Sequence, residues 1–298
     1  MTMMKGMRMM KKGVQGMKMM KPNSSISFRN AYVSASLHNY QDDNPHHGIY
    51  KPNMNQTKPF SLILPRNTNS LCGINIPENL ESSCVILEPG LVLLKNYVSI
   101  SDQAEIVNIC QEFGIGPGGF YQAIHKNGGK RNCRMMCFGR NWDPITKYDS
   151  YYRSDGSHAP PLPDQLISLA ISSVQDSQTY DDSLPSMCPD ICLVNFYTLT
   201  SHLGLHQDRD ESPSSLRKGL PVVSISVGDS AKFVYSKVRD EDMANEVLVE
   251  SGDVLIFGGK SRHIFHAVTK IIPNTAPLSL LQQTMLRPGR LSLTFRQY

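Results

Sequence analysis

Beyond Pro185 the chain becomes a succession of short apolar or alternating runs with no helical period between them. The runs are 192–197, 222–227, 232–235, 247–250, 253–257, 264–268 and 291–296, and Ser251-Gly252 makes a tight turn between two of them. Strands this short at this spacing argue for a sandwich or jelly roll. Two upstream segments read as helices covering one face. In the first, Ile106, Val107, Ile109, Cys110 and Phe113 recur at helical spacing, with Ser101 as N-cap and Gly114 as the stop. In the second, 163–177, Pro163 suits the first turn and Leu166, Ile167, Ala170, Ile171 and Val174 form the buried stripe. Order is expected to begin at 85–87 and 91–94, two apolar runs that read as buried strands around a Pro89-Gly90 turn. The expected class is α+β.

Composition matters mainly at the N-terminus. Of the 30 Lys and Arg residues, seven lie within the first 41 residues, where there is no acid. The remainder therefore carries 23 basic against 26 acidic side chains, and the net charge of +4 belongs to the tail. Bulk charge is no argument that the folded body binds nucleic acid; only a local patch could be. Residues 1–84 read as a Met/Lys/Gly-rich basic tail followed by a Pro/Asn/Ser linker, both expected to lack structure. A domain over 85–298 follows, its core at about 186–298. No apolar run approaches 18 residues, so no membrane partner is expected. Seven cysteines without a Cys-x2-Cys pair or a secretory signal indicate reduced thiols, and thus nucleus and cytoplasm. The acid-free basic start is also compatible with a chloroplast or mitochondrial transit peptide, although it is poorer in Ser and Arg than such segments.

The chemistry-bearing stretch is 195–210. His206 and Asp208 stand two positions apart, so an extended backbone turns an imidazole and a carboxylate to one face. That pair is two-thirds of the two-His-one-carboxylate triad that holds non-haem Fe(II) and leaves positions open for co-substrate and O2. A third ligand must come from another strand. His266, in Arg262-x-x-x-His266-x-Val268, is preferred over His263.

The last strand supplies a second constraint. Arg290, Ser292, Thr294 and Arg296 alternate with Leu291, Leu293 and Phe295, so one face is polar with an arginine at each end. The arginines are roughly 20 Å apart along the strand, a span that two guanidinium arms and a short dicarboxylate between them could fill. Asn195 and Tyr197 share a face and are natural partners for the same anion.

Residues 120–162 are rich in Arg, aromatics and turn formers, including the only tryptophan, Trp142, with Tyr148, Tyr151 and Tyr152. They read equally as an irregular surface or as a loop that stacks and steers a nucleobase. Gly114-x-Gly116-x-x-Gly119 matches a dinucleotide-binding pattern in the wrong context, since these glycines end a helix instead of opening one.

With these residues in view, the chain resembles AlkB-type 2-oxoglutarate- and Fe(II)-dependent dioxygenases. Asn195-x-Tyr197, His206-Gln-Asp208-Arg-Asp210-Glu, Pro221 to Gly228, Gly252-Asp253, Gly258-Gly259, Arg262-x-x-x-His266 and Arg290 to Arg296 occur in family order. The resemblance covers about 86–298 and is most specific from 190 onward. It implies a double-stranded β-helix with Fe(II) on His206, Asp208 and His266. Asn195, Tyr197, Arg290, Ser292, Thr294 and Arg296 would hold 2-oxoglutarate. With O2 as the other co-substrate, an N-methyl group of a base such as N6-methyladenine, N1-methyladenine or N3-methylcytosine would leave as formaldehyde, giving succinate and CO2. The preferred subfamily is the branch of the first animal homologue. The implied partner is single-stranded or flipped-base DNA or RNA, met by a monomer. Trp142 or Tyr148 would stack on the base and Asp210 would accept from its exocyclic amine, with Arg239 nearby.

Two departures stand out: Ser292 replaces the family's usual Asn, and the substrate-reading segments around Trp142, Tyr148, Phe233 and Arg239 align loosely. An oxygenase acting on a protein or small molecule would share the metal site and differ only in the lid over 120–162. A zinc hydrolase would leave the paired arginines without a job. A catalytically silent binding module would not need three intact ligands.

Overall fold

The structure, a computed structural model, describes residues 83–298 apart from 125–128, 130 and 154. The expected tail and linker thus lie outside the described residues, except for Ser83 and Cys84. These two already belong to β1 (Ser83–Glu88), which pairs with β2 (Leu91–Lys95) across Pro89-Gly90. α1 (Ile100–Ile115), β3 (Arg134–Phe138) and α2 (Asp164–Gln178) follow. The remainder is β4 (Ile191–Tyr197), β5 (Leu203–His206), α3 (Pro213–Arg217), β6 (Val222–Gly228), β7 (Ala231–Ser236), β8 (Asn245–Val249), β9 (Val254–Phe257), β10 (Phe265–Ile271), α4 (Leu278–Gln283) and β11 (Arg290–Arg296).

All strand pairs are antiparallel, in a seven-stranded sheet ordered β1-β2-β9-β6-β11-β4-β3 and a four-stranded sheet ordered β5-β10-β7-β8. β11 lies between β4 and β6, and its alternation assigns its two faces. Leu291, Leu293 and Phe295 join Ile106, Val107 and Cys110 of α1 and Leu166, Ala170 and Val174 of α2 in one core. Cutting Leu293, fully buried at mid-strand, to alanine would cost about 2–5 kcal/mol. The opposite face of the large sheet meets the small one through Leu91, Leu93, Leu255 and Phe257 against Phe233, Tyr235, Val249 and Val268. The polar side chains of β11 belong to that inner face, where the site lies. No described helix is long and apolar enough to cross a membrane.

Several expectations change in detail. β1 is an edge strand, with Val85 42% and Ile86 50% exposed, because nothing pairs with its outer side among the described residues. The N-cap of α1 is Ser99, whose Oγ accepts from the Asp102 amide at 3.2 Å, and not Ser101. The helix passes through Gly114 to end at Gly116, in extended and not left-handed backbone. β3, β5, α3 and α4 were not anticipated. Their apolar residues are too few to show a period.

Candidate active site

Antiparallel pairing of β5 with β10 places His206 directly opposite His266, their ring centroids 4.4 Å apart. Asp208 lies just past the end of β5, with its Oδ1 3.7 Å from His206 Nε2. One ligand atom from each of the three residues falls within 4.8 Å of the other two. The ring orientation is set locally. His206 Nδ1 lies 2.8 Å from the Gly204 carbonyl and His266 Nδ1 lies 3.2 Å from that of Ile264. A carbonyl only accepts, so each Nδ1 donates to its carbonyl and Nε2 is the ring nitrogen turned to a metal. Burial against Phe257 and Phe233 pulls the His266 pKa down to about 4, despite the opposing pull of Asp208, so the ring is neutral near pH 7. His263, the rival ligand, is exposed and outside the cluster.

Burial alone would raise the Asp208 pKa, but Arg296, His266 and His206 outweigh it and hold the carboxyl well below the usual range. Arg296 Nη2 grips Asp208 Oδ2 at 2.6 Å, which leaves Oδ1 facing the histidines. Arg262 Nη1 donates to the Asp208 backbone carbonyl at 2.8 Å. Between the two arginines sits Glu211, which ion-pairs with Arg262 at 2.8 Å and Arg296 at 2.9 Å. All three of these side chains are at most 6% exposed. Glu211 had appeared in the sequence only as the last letter of a motif, and two buried arginines reaching one carboxylate could not be read from spacing.

The floor of the site is set by register. β4, β11 and β6 align Tyr197 with Arg290 and Gly228, Asn195 with Ser292 and Ser226, and Leu193 with Thr294 and Ser224. Arg290 is 2% exposed, yet only its Nη2 has a partner, Ser226 Oγ at 2.9 Å; Nε and Nη1 have none among the described residues. The residue before it, Gly289, has φ +139° and lies where a Cβ would overlap the Tyr197 carbonyl. Asp229 clasps that glycine, accepting from its amide at 2.8 Å and donating its own amide to its carbonyl at 2.8 Å. The two arginines of β11 are therefore unlike: Arg296 is spent on Asp208, Glu211 and the Thr294 carbonyl, whereas Arg290 keeps two donors open.

Asn195, Tyr197, Ser292, Thr294 and both arginines line one cavity with the three metal-site residues. So do Trp142, Tyr148 and Asp210. Asp210 pairs with neither Arg209 nor Arg217: Trp142 Nε1 donates to its Oδ2 at 2.7 Å, and Lys147 lies 3.0 Å from its Oδ1. The Arg131 guanidinium lies over the Trp142 ring at 4.6 Å. Tyr148 is 2% exposed beneath Arg296, so its ring forms wall and does not reach the mouth. Arg239 is the one expected site residue that the structure does not bring to the cavity. It lies in the exposed β7–β8 connection, beyond the end of β7 at Ser236.

Two imidazole nitrogens and one carboxylate oxygen suit Fe(II), and a buried guanidinium with two open donors suits a carboxylate beside it. Residues 90–296 match the model of the 2OG-Fe(II) oxygenase superfamily. The chain belongs to this family. The oxygenase is 53% identical over 227 residues to the DNA N(6)-methyladenine demethylase ALKBH1C of Arabidopsis thaliana, covering 72% of this chain and 50% of that protein. It is 30% identical to the alpha-ketoglutarate-dependent dioxygenase AlkB of Salmonella typhimurium, covering 71% of this chain and 91% of that one, which makes it AlkB-type. The solved structure of OsALKBH1 superposes with a TM-score of 0.70 at 49% identity, spanning 72% of this chain and 100% of that one. The oxygenase spans 50 to 59% of the length of three Arabidopsis relatives it matches.

Proposed function

We propose that this oxygenase removes N-methyl groups from nucleobases of DNA or RNA by Fe(II)- and 2-oxoglutarate-dependent oxidation, with N6-methyladenine as the first candidate. The observation that carries the chemistry is the open-sided His206–Asp208–His266 cluster in one cavity with Arg290. The demethylase names of the relatives support the substrate, as does the tRNA demethylase abh1 of Schizosaccharomyces pombe, 26% identical over 229 residues. The two facing sheets are read as a double-stranded β-helix.

His206 Nε2, His266 Nε2 and Asp208 Oδ1 would hold the iron, while Arg296 keeps Oδ2 turned away. Arg290, with Tyr197 and the Asn195–Ser292–Ser226 row, would take the 2-oxoglutarate carboxylate remote from the metal. Bound iron and 2-oxoglutarate supply the oxidation of a C–H bond by O2, with succinate and CO2 as co-products and loss of formaldehyde from the hydroxylated methyl group. The protein contributes position and dryness. Phe233, Phe257, Leu193, Leu203 and Val268 would wall off water, and Asp210, which lines the cavity beside Trp142, would accept from an exocyclic amine. Such a base must already be unpaired or be flipped from its stack.

The test is to load the protein with Fe(II) and 2-oxoglutarate anaerobically with a panel of methylated oligonucleotides, admit O2, and measure formaldehyde. Release from N6-methyladenine above the other bases is expected. Succinate formed without formaldehyde from any base would remove the nucleic-acid reading and leave the oxygenase.

A further inference from the structure

Close in the chain to the lining residues Trp142 and Tyr148, residues 151–153 fold back against 157–159. Arg153 N donates to Ser157 O at 2.9 Å and Ala159 N to Tyr151 O at 3.1 Å, while Tyr152 bridges His158. The turn displays three rings. Tyr151 and His158 are parallel, 5.9 Å apart at 6°, and Tyr152 stands edge-on to His158 at 5.0 Å. Tyr151 is 45% and Tyr152 60% exposed, and His158 is exposed as well. Apolar aromatic area held in water by mutual ring contact, when the chain has a core to bury it in, is an arrangement that calls for an occupant.

The turn is anchored to the site. The buried Asn141 donates through Nδ2 to Tyr151 O at 2.7 Å, and its chain neighbour Trp142 lines the cavity. Arg140 donates to the carbonyl of Tyr148, another lining residue, at 3.3 Å, with its guanidinium 4.7 Å from the Tyr151 ring. Ala159 packs in one apolar cluster with Leu193 and Trp142, both of which line the cavity. The turn is thus tied to residues that line the cavity.

Charge argues for what it meets. Residues 42–298 carry 23 basic and 26 acidic side chains, yet 131–153 alone carry Arg131, Arg134, Arg140, Lys147 and Arg153 against Asp143 and Asp149. A cationic segment interleaved with exposed rings fits an unpaired polynucleotide, whose phosphates seek cations and whose bases seek flat apolar faces. Resting on the nucleic-acid reading above, we propose that Tyr151, Tyr152 and His158 form a stacking platform for the unpaired bases that flank the methylated one. The platform makes single-stranded nucleic acid the preferred partner, because in a duplex those bases are stacked on one another.

The test uses the full chain and an unmethylated six-nucleotide single strand, so that it does not depend on turnover. Anisotropy of a labelled strand gives the affinity, and Trp142, the only tryptophan, reports arrival at the mouth by its fluorescence. Y151A/Y152A should weaken binding by about tenfold or more for each ring lost. The slope of affinity against salt should stay unchanged, since no cation is removed. Y151F/Y152F should bind like the parent, because the faces remain. An alanine pair that binds within twofold of the parent, or a duplex that binds the parent as well as the single strand does, would overturn the platform. Formaldehyde release from methylated oligonucleotides with no effect of the alanine pair on binding would sink the platform and leave the demethylase. Lost binding without release from any base would do the reverse.

Discussion

Replacing Arg290 by methionine should move two observables in opposite directions. The parent side chain is 2% exposed, and burial pulls its pKa below the usual arginine value, with Tyr197 and Asp253 only partly opposing. Nε and Nη1 have no partner among the described residues. Without co-substrate, such a cation is a cost. An apolar chain of similar length should leave the fold as stable or more stable by about 1 kcal/mol. With 2-oxoglutarate, the sign reverses. An anion deprived of its buried charged partner loses about 2–5 kcal/mol, which weakens binding roughly thirty-fold to a few thousand-fold. At a ligand concentration one hundred times its Kd the parent gains about 2.7 kcal/mol, while the variant at that concentration gains at most about 0.9 kcal/mol. Thermal melts with Mn(II), which takes the same nitrogen and oxygen ligands, would show both effects. A variant whose melting rises with 2-oxoglutarate as much as the parent's does would refute the assignment of Arg290 as the anion anchor.

H206A, D208A and H266A should each lose Mn(II) in equilibrium dialysis, and H263A should keep it; the converse for the last two would reassign the third ligand. Glu211→Gln leaves two buried arginines with one neutral partner and should cost about 3–5 kcal/mol in urea unfolding, so an unchanged midpoint would show that the pairs are dispensable. The His266 imidazole is lowered from 6.5 to about 4, so the unfolded chain takes its proton first. Metal-free protein should thus lose on the order of 3 kcal/mol as pH falls through that window, a slope that H266Q should flatten and that must come from another group if it persists. D210A should bind metal and turn over 2-oxoglutarate slowly without oxidising methylated bases; parental formaldehyde release in this variant would return Asp210 to a surface ion pair with Lys147.

Where a signal was periodic or chemical, the sequence carried it. The alternation of β11 foretold which face would be polar, and the two-residue spacing of His206 and Asp208 put both at one cavity. What could not be seen was anything that depends on partners distant in the chain. Two arginines of one strand look alike on paper, and only Glu211 and Asp208 folding onto Arg296 make it unlike Arg290. Likewise, Tyr148 and Tyr151 are the same residue three positions apart, one inside the wall and one in water, because the loop between them follows no period. Asp229 had no signal either, for its carboxylate accepts from the Gly289 amide across 60 residues.

The pairing of His206 with His266 across β5 and β10 gives the cluster a second use, as a check on assembly. A strand shifted by one residue turns every side chain to the other face. In that register His266 would point away from His206, and the three ligand atoms could not converge. β5 has only four residues to hold it in place, and its pairing with β10 already shifts between His266 and Val268. Metal affinity is thus confined to one alignment of the two strands. Without a metal, the register of β5 would rest on that short pairing alone, whereas β10 is held by six pairs to β7.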